Sequence, residues 1–443
     1  MEMYLPNSVK ACIDSLESAG FSAYAVGGCV RDSLLGLVPQ DYDLCTSASP
    51  AEIRRVFAGC RLVLAGEKHG TVAVITEDGP VEITAYRMEG GYTDSRHPGW
   101  VRFVTDVEAD LSRRDFTVNA MAYSPYRGFA DPFGGREDLK NKCLRAVGDP
   151  VARFREDALR ILRGVRFAVR FRLTPDPDTL EAMENLAGLT DHLARERVFE
   201  ELCKLLPLLR REDLLRFAPV ITRVIPELEP LVGFDQQSPH HAYDLLTHTA
   251  YVVEGVPARL PLRWAALLHD VGKPGTFYAD ETGRGHFPGH AKVGGQLADT
   301  ILRKLKAPTA LREQVVTLIA GHMSLPEPDK RILRRWLGKF GPEGFRDLMD
   351  LQRADYFAKG TGKTTDFFDR VDKLLEQVLA EDACLSLKDL AVSGNDLIAM
   401  GYIPGPKIRH CLEHLLASVQ EELLPNTRQA LLKAAAVYKE EQP

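Results

Sequence analysis

The sequence predicts an α+β protein: a head with a small mixed sheet, then a body that is helical almost throughout. Three observations carry this reading. Short β-rich runs alternate with helical stretches up to about Pro150; Gly148-Asp149-Pro150 forms a clean break; and from Val151 onward the pattern is nearly all helical. The helical part divides further at the Phe217-Ala218-Pro219 region and at the polar stretch Lys359-Gly360-Thr361-Gly362-Lys363. The expected segments are therefore 1–150, 151–225, 226–362 and 363–443, the last holding amphipathic helices with acidic ends. Within it, Gly401-Tyr402-Ile403-Pro404-Gly405-Pro406-Lys407 reads as a loop before a helix.

Taken in order, Tyr24-Ala25-Val26 reads as a short buried strand, Gly27-Gly28 as a tight turn, and Val30 to Leu35 as the start of a helix. Backbone N–H groups at such a turn suit an anion the size of a triphosphate. Asp41 to Cys45 reads as a second strand, punctuated by Pro39 before it and by Thr46 to Pro50 after it. Side chains alternate along a strand, so Asp41 and Asp43 project to one side, close enough to share divalent ions. Thr71 to Thr76 and Val81 to Tyr86 form β-rich runs joined through Asp78-Gly79, a hairpin signal. Glu82, on the second run, either reaches the same ions from a neighbouring strand or faces solvent. Paired carboxylates holding Mg²⁺ are the usual device for activating a hydroxyl and neutralising a leaving pyrophosphate.

Composition bounds the alternatives. The 443 residues are 45% hydrophobic and 27% charged, ordinary for a globular chain of two to four domains. No apolar run reaches membrane-spanning length, and Met1-Glu2-Met3-Tyr4 lacks the layout of a signal peptide. Eight cysteines without C-x-x-C spacing speak against a zinc ribbon or a disulfide framework, and for a reducing cytoplasm. The net charge of -6 argues weakly against a nucleic-acid partner, but charge is unevenly spread. Between Arg153 and Arg172 seven arginines face only Glu156 and Asp157, on a helical pattern built on Phe154, Leu159, Leu162 and Val165. That stretch is either a solvated helix face or a phosphate-contacting surface. Asp157 and Arg160 stand three apart, and on one helix face they are expected to bond each other and present an edge like that of a base. Arg163 and Arg166 continue the series at helical spacing.

The combination Gly27-Gly28-x-Val30-Arg31-Asp32, Asp41-x-Asp43, Arg113-Arg114-Asp115-Phe116-Thr117-Val118-Asn119-Ala120 and Glu156-Asp157-Ala158-Leu159-Arg160 resembles the class II tRNA nucleotidyltransferase and bacterial poly(A) polymerase family in order and spacing. Its ERxxxEL-like segment appears as Glu196 to Leu202. The resemblance implies a polymerase-beta-like palm as head and a helical neck that binds nucleotide and RNA. It also implies CTP, ATP and tRNA as partners. By it, Gly28 and Arg31 contact the incoming nucleotide, Asp41 and Asp43 hold Mg²⁺, and Arg114 binds nucleotide while Asp115 positions. Asp157, Arg160, Arg163 and Arg166 match the neck positions that recognise base and phosphates. In the mechanism read from the residues, two Mg²⁺ on Asp41 and Asp43 act on the primer hydroxyl and the triphosphate, and Glu82 is expected to assist deprotonation.

In the same family, enzymes that add only CC tend to lack part of a loop after the sheet. Here Arg87 to Pro98 is complete, which leaves addition of CCA, of a terminal A, or of poly(A). The missing basic tail demotes the last. A second constellation, His248, His269-Asp270 and Asp355, resembles the HD-domain phosphohydrolase signature and implies a second divalent ion; His286, His290 and His322 lie between. That domain either hydrolyses phosphoesters at RNA ends or is a helical body with an idle site. The rival from another class is an HD phosphohydrolase whose head only binds RNA.

Overall fold

The computed structural model describes residues 3–91, 99–238, 242–360, 364–381, 384 and 386–441. It divides into two compact units, 1–209 with 216–226, and 210–215 with 227–443.

The first unit contains β1 (Ala23–Val26), β2 (Asp43–Thr46), β3 (Leu62–Val63), β4 (Thr71–Thr76), β5 (Gly79–Ala85), β6 (Arg87–Gly90), β7 (Trp100–Phe103), β8 (Ala122–Ser124) and β9 (Gly128–Ala130). Seven of these form one mixed sheet in the order β3-β4-β5-β2-β1-β8-β9, and β6 with β7 makes a separate hairpin. Within the sheet β2 and β5 run parallel while their other neighbours are antiparallel. Tyr24, Val26, Cys45, Tyr86, Leu111 and Ala122 are buried together at its centre. Helices α1 (Asn7–Ser18), α2 (Gly28–Leu34), α3 (Pro50–Val56), α4 (Val107–Ser112) and α5 (Gly135–Lys140) complete the head. The start of α3 is fixed by a capping box between Ser49 and Glu52, with Pro50 in the first turn where its missing N–H costs nothing.

Two boundaries differ from expectation. β2 begins at Asp43, so Asp41 lies just before the strand. The cause is Gly27, whose left-handed φ of 77° takes the chain out of the sheet after Val26 and leaves residues before Asp43 without a partner in β1. The β4–β5 turn is Glu77-Asp78, with Gly79 at φ 120° already paired to Thr76.

The neck follows as α6 (Pro150–Glu156), α7 (Leu159–Phe171), α8 (Pro177–Leu186), α9 (Arg195–Leu205) and, after α10 (Arg211–Arg216), whose residues up to Leu215 fall in the second unit, α11 (Ala218–Val224). The stretch from Arg153 to Arg172 is thus two helices, because Asp157 is extended at φ -141° and ψ 103°. Nor is it a uniformly solvated basic face, since Arg160 and Arg166 are buried.

The second unit is built from α12 (Leu245–Gly255), α13 (Leu260–Leu268), α14 (His290–Lys304), α15 (Thr309–Gly321), α16 (Lys330–Ala358), α17 (Asp366–Ala380), α18 (Gly394–Ala399), α19 (Pro406–Gln420) and α20 (Arg428–Glu441). Gly341, at φ 70° and followed by Pro342, breaks α16. Two glycines let its backbones approach closely. A Cβ on Gly272 would lie 2.5 Å from the His290 carbonyl oxygen, and one on Gly255 would lie 3.1 Å from the Ala354 Cβ. These contacts bring the turn after α13 onto the start of α14, and α12 onto α16.

Candidate active site and a buried histidine cluster

Asp43 is paired in register with Glu82 on the parallel neighbour β5, so the two carboxylates stand side by side on one face. Asp43 is exposed to solvent, yet desolvation by the protein around its carboxyl, reinforced by the charges of Asp41 and Glu82, pushes it up to about 6. Asp41, Asp43 and Glu82 supply carboxylate oxygens, the donors a hard, oxygen-seeking cation takes, but the three do not all come within 4.8 Å of one another. The cleft in front of Asp41 and Asp43 encloses about 430 Å³; Gly27, Gly28 and Arg114 line it, as do Asp157, Arg160 and Arg163 of the neck. Glu82 stands beside Asp43 but outside that lining.

The basic wall is positioned by acids. Gly27 leaves room for Arg114, whose Nη1 would lie 2.8 Å from a Cβ at that position. Asp110, fully buried, accepts hydrogen bonds from Arg113 Nη2 at 2.8 Å, Arg114 Nη2 at 3.4 Å and the Arg87 backbone N–H at 3.2 Å. Asp115 accepts from Arg163 Nε at 2.8 Å and from Asn119 Nδ2 at 3.0 Å. Burial opposes its ionisation, but Arg163 and Asn119 prevail and hold its carboxyl at about 2. Arg31 lines the cleft, with its guanidinium bonded to Asp32 at 2.8 Å and to Asn119, and stacked 4.2 Å from the Phe171 ring centre.

The expected bond between Asp157 and Arg160 is not formed. Because the helix breaks at Asp157, its carboxylate is free to accept from the Leu159 N–H at 3.0 Å and from Arg197 Nη2 at 3.0 Å. Arg160 instead donates to Glu156 at 2.6 Å, to the Arg153 carbonyl at 3.1 Å and to the Arg113 carbonyl at 2.9 Å. Arg166 is buried against Glu201 of α9, outside the lining of the cleft. Sequence reasoning overlooked Asp110, Asn119 and Glu201 as positioning groups. It also gave no role to Arg197, although its Glu196-Arg197 segment was visible as a motif.

In the second unit His248, His269, Asp270 and Asp355 meet in the interior. His248 Nε2 lies 3.1 Å from Asp355 Oδ1 and 3.5 Å from Asp270 Oδ2, and His269 Nε2 lies 3.1 Å from the same Asp270 oxygen. His290 and His322 approach the other oxygen, Oδ1, at 3.5 and 3.8 Å. His286 stays apart, bonded to Asp280 at 2.6 Å. Lys273 Nζ lies 2.7 Å from Asp270, and Lys359 Nζ donates to Asp355 at 2.8 Å. Burial opposes ionisation of Asp270, but His269 and Lys273 hold its carboxyl well below the ordinary range.

A mixed sheet with paired carboxylates facing a cleft walled by arginines defines a nucleotidyltransferase, and the comparisons agree. Residues 23–145 match the poly A polymerase head domain, 172–210 the probable RNA and SrmB-binding site of polymerase A, and 290–435 the putative domain 2 of tRNA nucleotidyltransferase. A CCA-adding enzyme of Latilactobacillus sakei is 33% identical over 432 residues, covering 96% of each chain. One of Bacillus velezensis is 42% identical over 257 residues, 58% of this chain and 62% of the relative. The crystal structure of the Bacillus stearothermophilus CCA-adding enzyme in complex with CTP superposes with a TM-score of 0.71 at 28% identity, covering 98% of both chains. The chain belongs to the family of CCA-adding enzymes.

Proposed function

We propose that this protein rebuilds the 3′ end of tRNA without a template, adding C, C and A from CTP and ATP through the cleft in front of Asp41 and Asp43. The observation that carries the reading is the register of Asp43 against Glu82, with Asp41 two residues before, facing a wall of neck arginines. The relative whose structure was solved with CTP, similar over nearly the whole chain, supports the choice of nucleotide.

Asp41 and Asp43 would hold Mg²⁺, which when bound supplies the charge that acidifies the primer 3′-hydroxyl and neutralises the leaving pyrophosphate. Glu82, beside Asp43, keeps the carboxylate face negative and assists removal of the hydroxyl proton. Gly28, Arg31 and Arg114 bind the triphosphate from the turn and the opposite wall. Asp157 and Arg160 read the base edge as separate groups, each oriented by its own partner, Arg197 and Glu156. Arg163 contacts phosphate while Asp115 steadies it, and Arg166 supports the neck from behind through Glu201. The loop Arg87 to Pro98 helps switch the pocket from C to A; its residues 92–98 lie outside the described part.

The four segments 1–150, 151–225, 226–362 and 363–443 serve as catalytic head, neck, HD domain and C-terminal helical region. In the HD domain His248, His269, Asp270 and Asp355 would hold one divalent ion, which would make the domain phosphohydrolase-like. Cys12, Cys29, Cys45, Cys60, Cys143, Cys384 and Cys411 are free thiols, which suits a reducing cytoplasm. Among the described residues no helix is long and apolar enough to cross a membrane.

Transcripts of tRNA lacking CCA, or ending in C or CC, test the reading. With CTP alone the first two are completed to CC; with both nucleotides all three end in CCA. Extension of only the CC-ended transcript, or growth of an unlimited A tail, would overturn it.

A further inference from the structure

Four arginines of the first unit gather on two aromatic rings of α7. Phe167 and Phe171 stand four apart on one face of that helix, with ring centres 6.1 Å apart and planes 27° from parallel. The Arg31 guanidinium carbon lies 4.2 Å from the Phe171 ring centre and 5.3 Å from that of Phe167. Arg163 and Arg166 lie 5.1 and 4.4 Å from Phe167, and Arg170 lies 4.9 Å from Phe171. Three carboxylates pair with the four: Asp32 with Arg31 and, at 4.0 Å, Arg170; Asp115 with Arg163; Glu201 with Arg166. The group therefore carries one positive charge more than these acids balance, and the negative ring faces meet the remainder.

Arg31 depends on the rings most, because it comes from α2 of the head whereas the rings belong to the neck. Its Nε and Nη2 meet Asp32 at 2.8 and 2.6 Å and Nη1 donates to Asn119, which leaves two of its five N–H groups for a ligand. Its flat faces are still to be fixed, and a ring face fixes them without consuming a donor. Burial opposes the Arg31 charge, Asp32 favours it and Arg170 opposes it. Nη2 stands beside the diglycine turn, 3.6 Å from where a Cβ on Gly28 would be, and both Arg31 and Phe167 line the cleft. Phe167 is itself held edge-on to the fully buried Phe116, with ring centres 5.9 Å apart.

We propose that Phe167 and Phe171 form an aromatic clamp by which the neck positions Arg31 of the head for the triphosphate. The proposal rests on the reading above that Arg31 binds that group. The rings are positioning residues that act through the guanidinium they flank. A leucine at either position keeps apolar volume but not the negative face, so Arg31 is left to swing about its Asp32 anchor. Because Arg31 meets the phosphates and not the base, the loss falls equally on CTP and ATP. It appears in KM, since Arg31 holds the phosphates alike before and during the reaction.

The test measures KM and kcat for CTP and for ATP on tRNA transcripts ending in C and in CC, with folding verified by thermal melt. Half-buried Phe171 is the first site to change, because it lies outside the fully buried core. Phe171→Leu is expected to raise both KM values together by ~5- to 30-fold with kcat held, the worth of a cation–π contact partly or wholly out of water. Phe167→Leu is expected to show the same shared rise, and Phe171→Tyr to keep the wild-type values. In an Arg31→Gln background, Phe171→Leu is expected to add nothing. Unchanged KM values in Phe171→Leu, a Phe171→Tyr protein as impaired as the leucine variant, a rise confined to one nucleotide, or an undiminished rise in the Arg31→Gln background overturns the clamp while Arg31 keeps its role. If Arg31→Gln alone leaves both KM values unchanged, the triphosphate reading of Arg31 falls and the clamp falls with it.

Discussion

Asp115 shows how a charge inside the cleft is made stable. Its carboxyl is lowered from 3.8 to about 2, chiefly because Arg163 and Asn119 outweigh the burial that opposes ionisation. A depressed carboxyl stabilises the fold at pH above its unfolded value, and the benefit is lost as pH falls through the folded one. The advantage of the wild type over Asp115→Asn is thus expected to be ~2 kcal/mol near neutral pH and to vanish between about pH 4 and pH 2. Denaturant melts of both proteins at several pH values check this; an advantage that is flat across that window would contradict it. At this scale the sequence was a good guide to which acids and arginines gather, because motif order places them. Their pairing was less legible. Asp157 and Arg160 have helical spacing, yet neither Gly nor Pro announces the break at Asp157, where the carboxylate turns to the Leu159 N–H instead.

Packing between elements decides what the arginine-rich helix does. Half-exposed Arg163 serves the cleft, whereas Arg166, nearly a full turn further along α7, is buried against Glu201 of α9. Breaking such a pair from one side strands the other charge. Glu201→Ala is expected to cost ~3–5 kcal/mol in unfolding free energy. Replacing both partners by apolar residues should cost much less than the sum of the single changes, which a double-mutant cycle in urea measures. Sequence periodicity identifies the helix and its apolar side, but a basic residue beside that side reads the same whether it meets water or an acid on another helix. The position of Glu201 relative to Arg166 depends on how α7 packs on α9, and no local pattern contains that. Strand register was more accessible. The short β2 and β5 runs were visible, and alternation put Glu82 on a defined face, although its being directly opposite Asp43 needed the parallel pairing.

On the scale of the whole chain, order was the most legible property. A diglycine turn, paired aspartates, an Arg-Arg-Asp segment and an Asp/Arg neck in succession describe a nucleotide-choosing machine better than any one of them does. The net charge of -6 gave no hint of it, since the arginines lining the cleft are gathered locally from the head and the neck. In the second unit the histidines were individually visible, but that the two oxygens of Asp270 face separate pairs could be seen only once the close approach at Gly272 was known. The account's central claim is that one carboxylate pair performs every addition. Its most direct test is incorporation of labelled CTP and ATP into a tRNA transcript lacking CCA by Asp43→Ala, with folding verified by thermal melt. Both incorporations are expected to fall together, by ~10³-fold or more. Survival of either would contradict the claim and leave the head as an RNA-binding module.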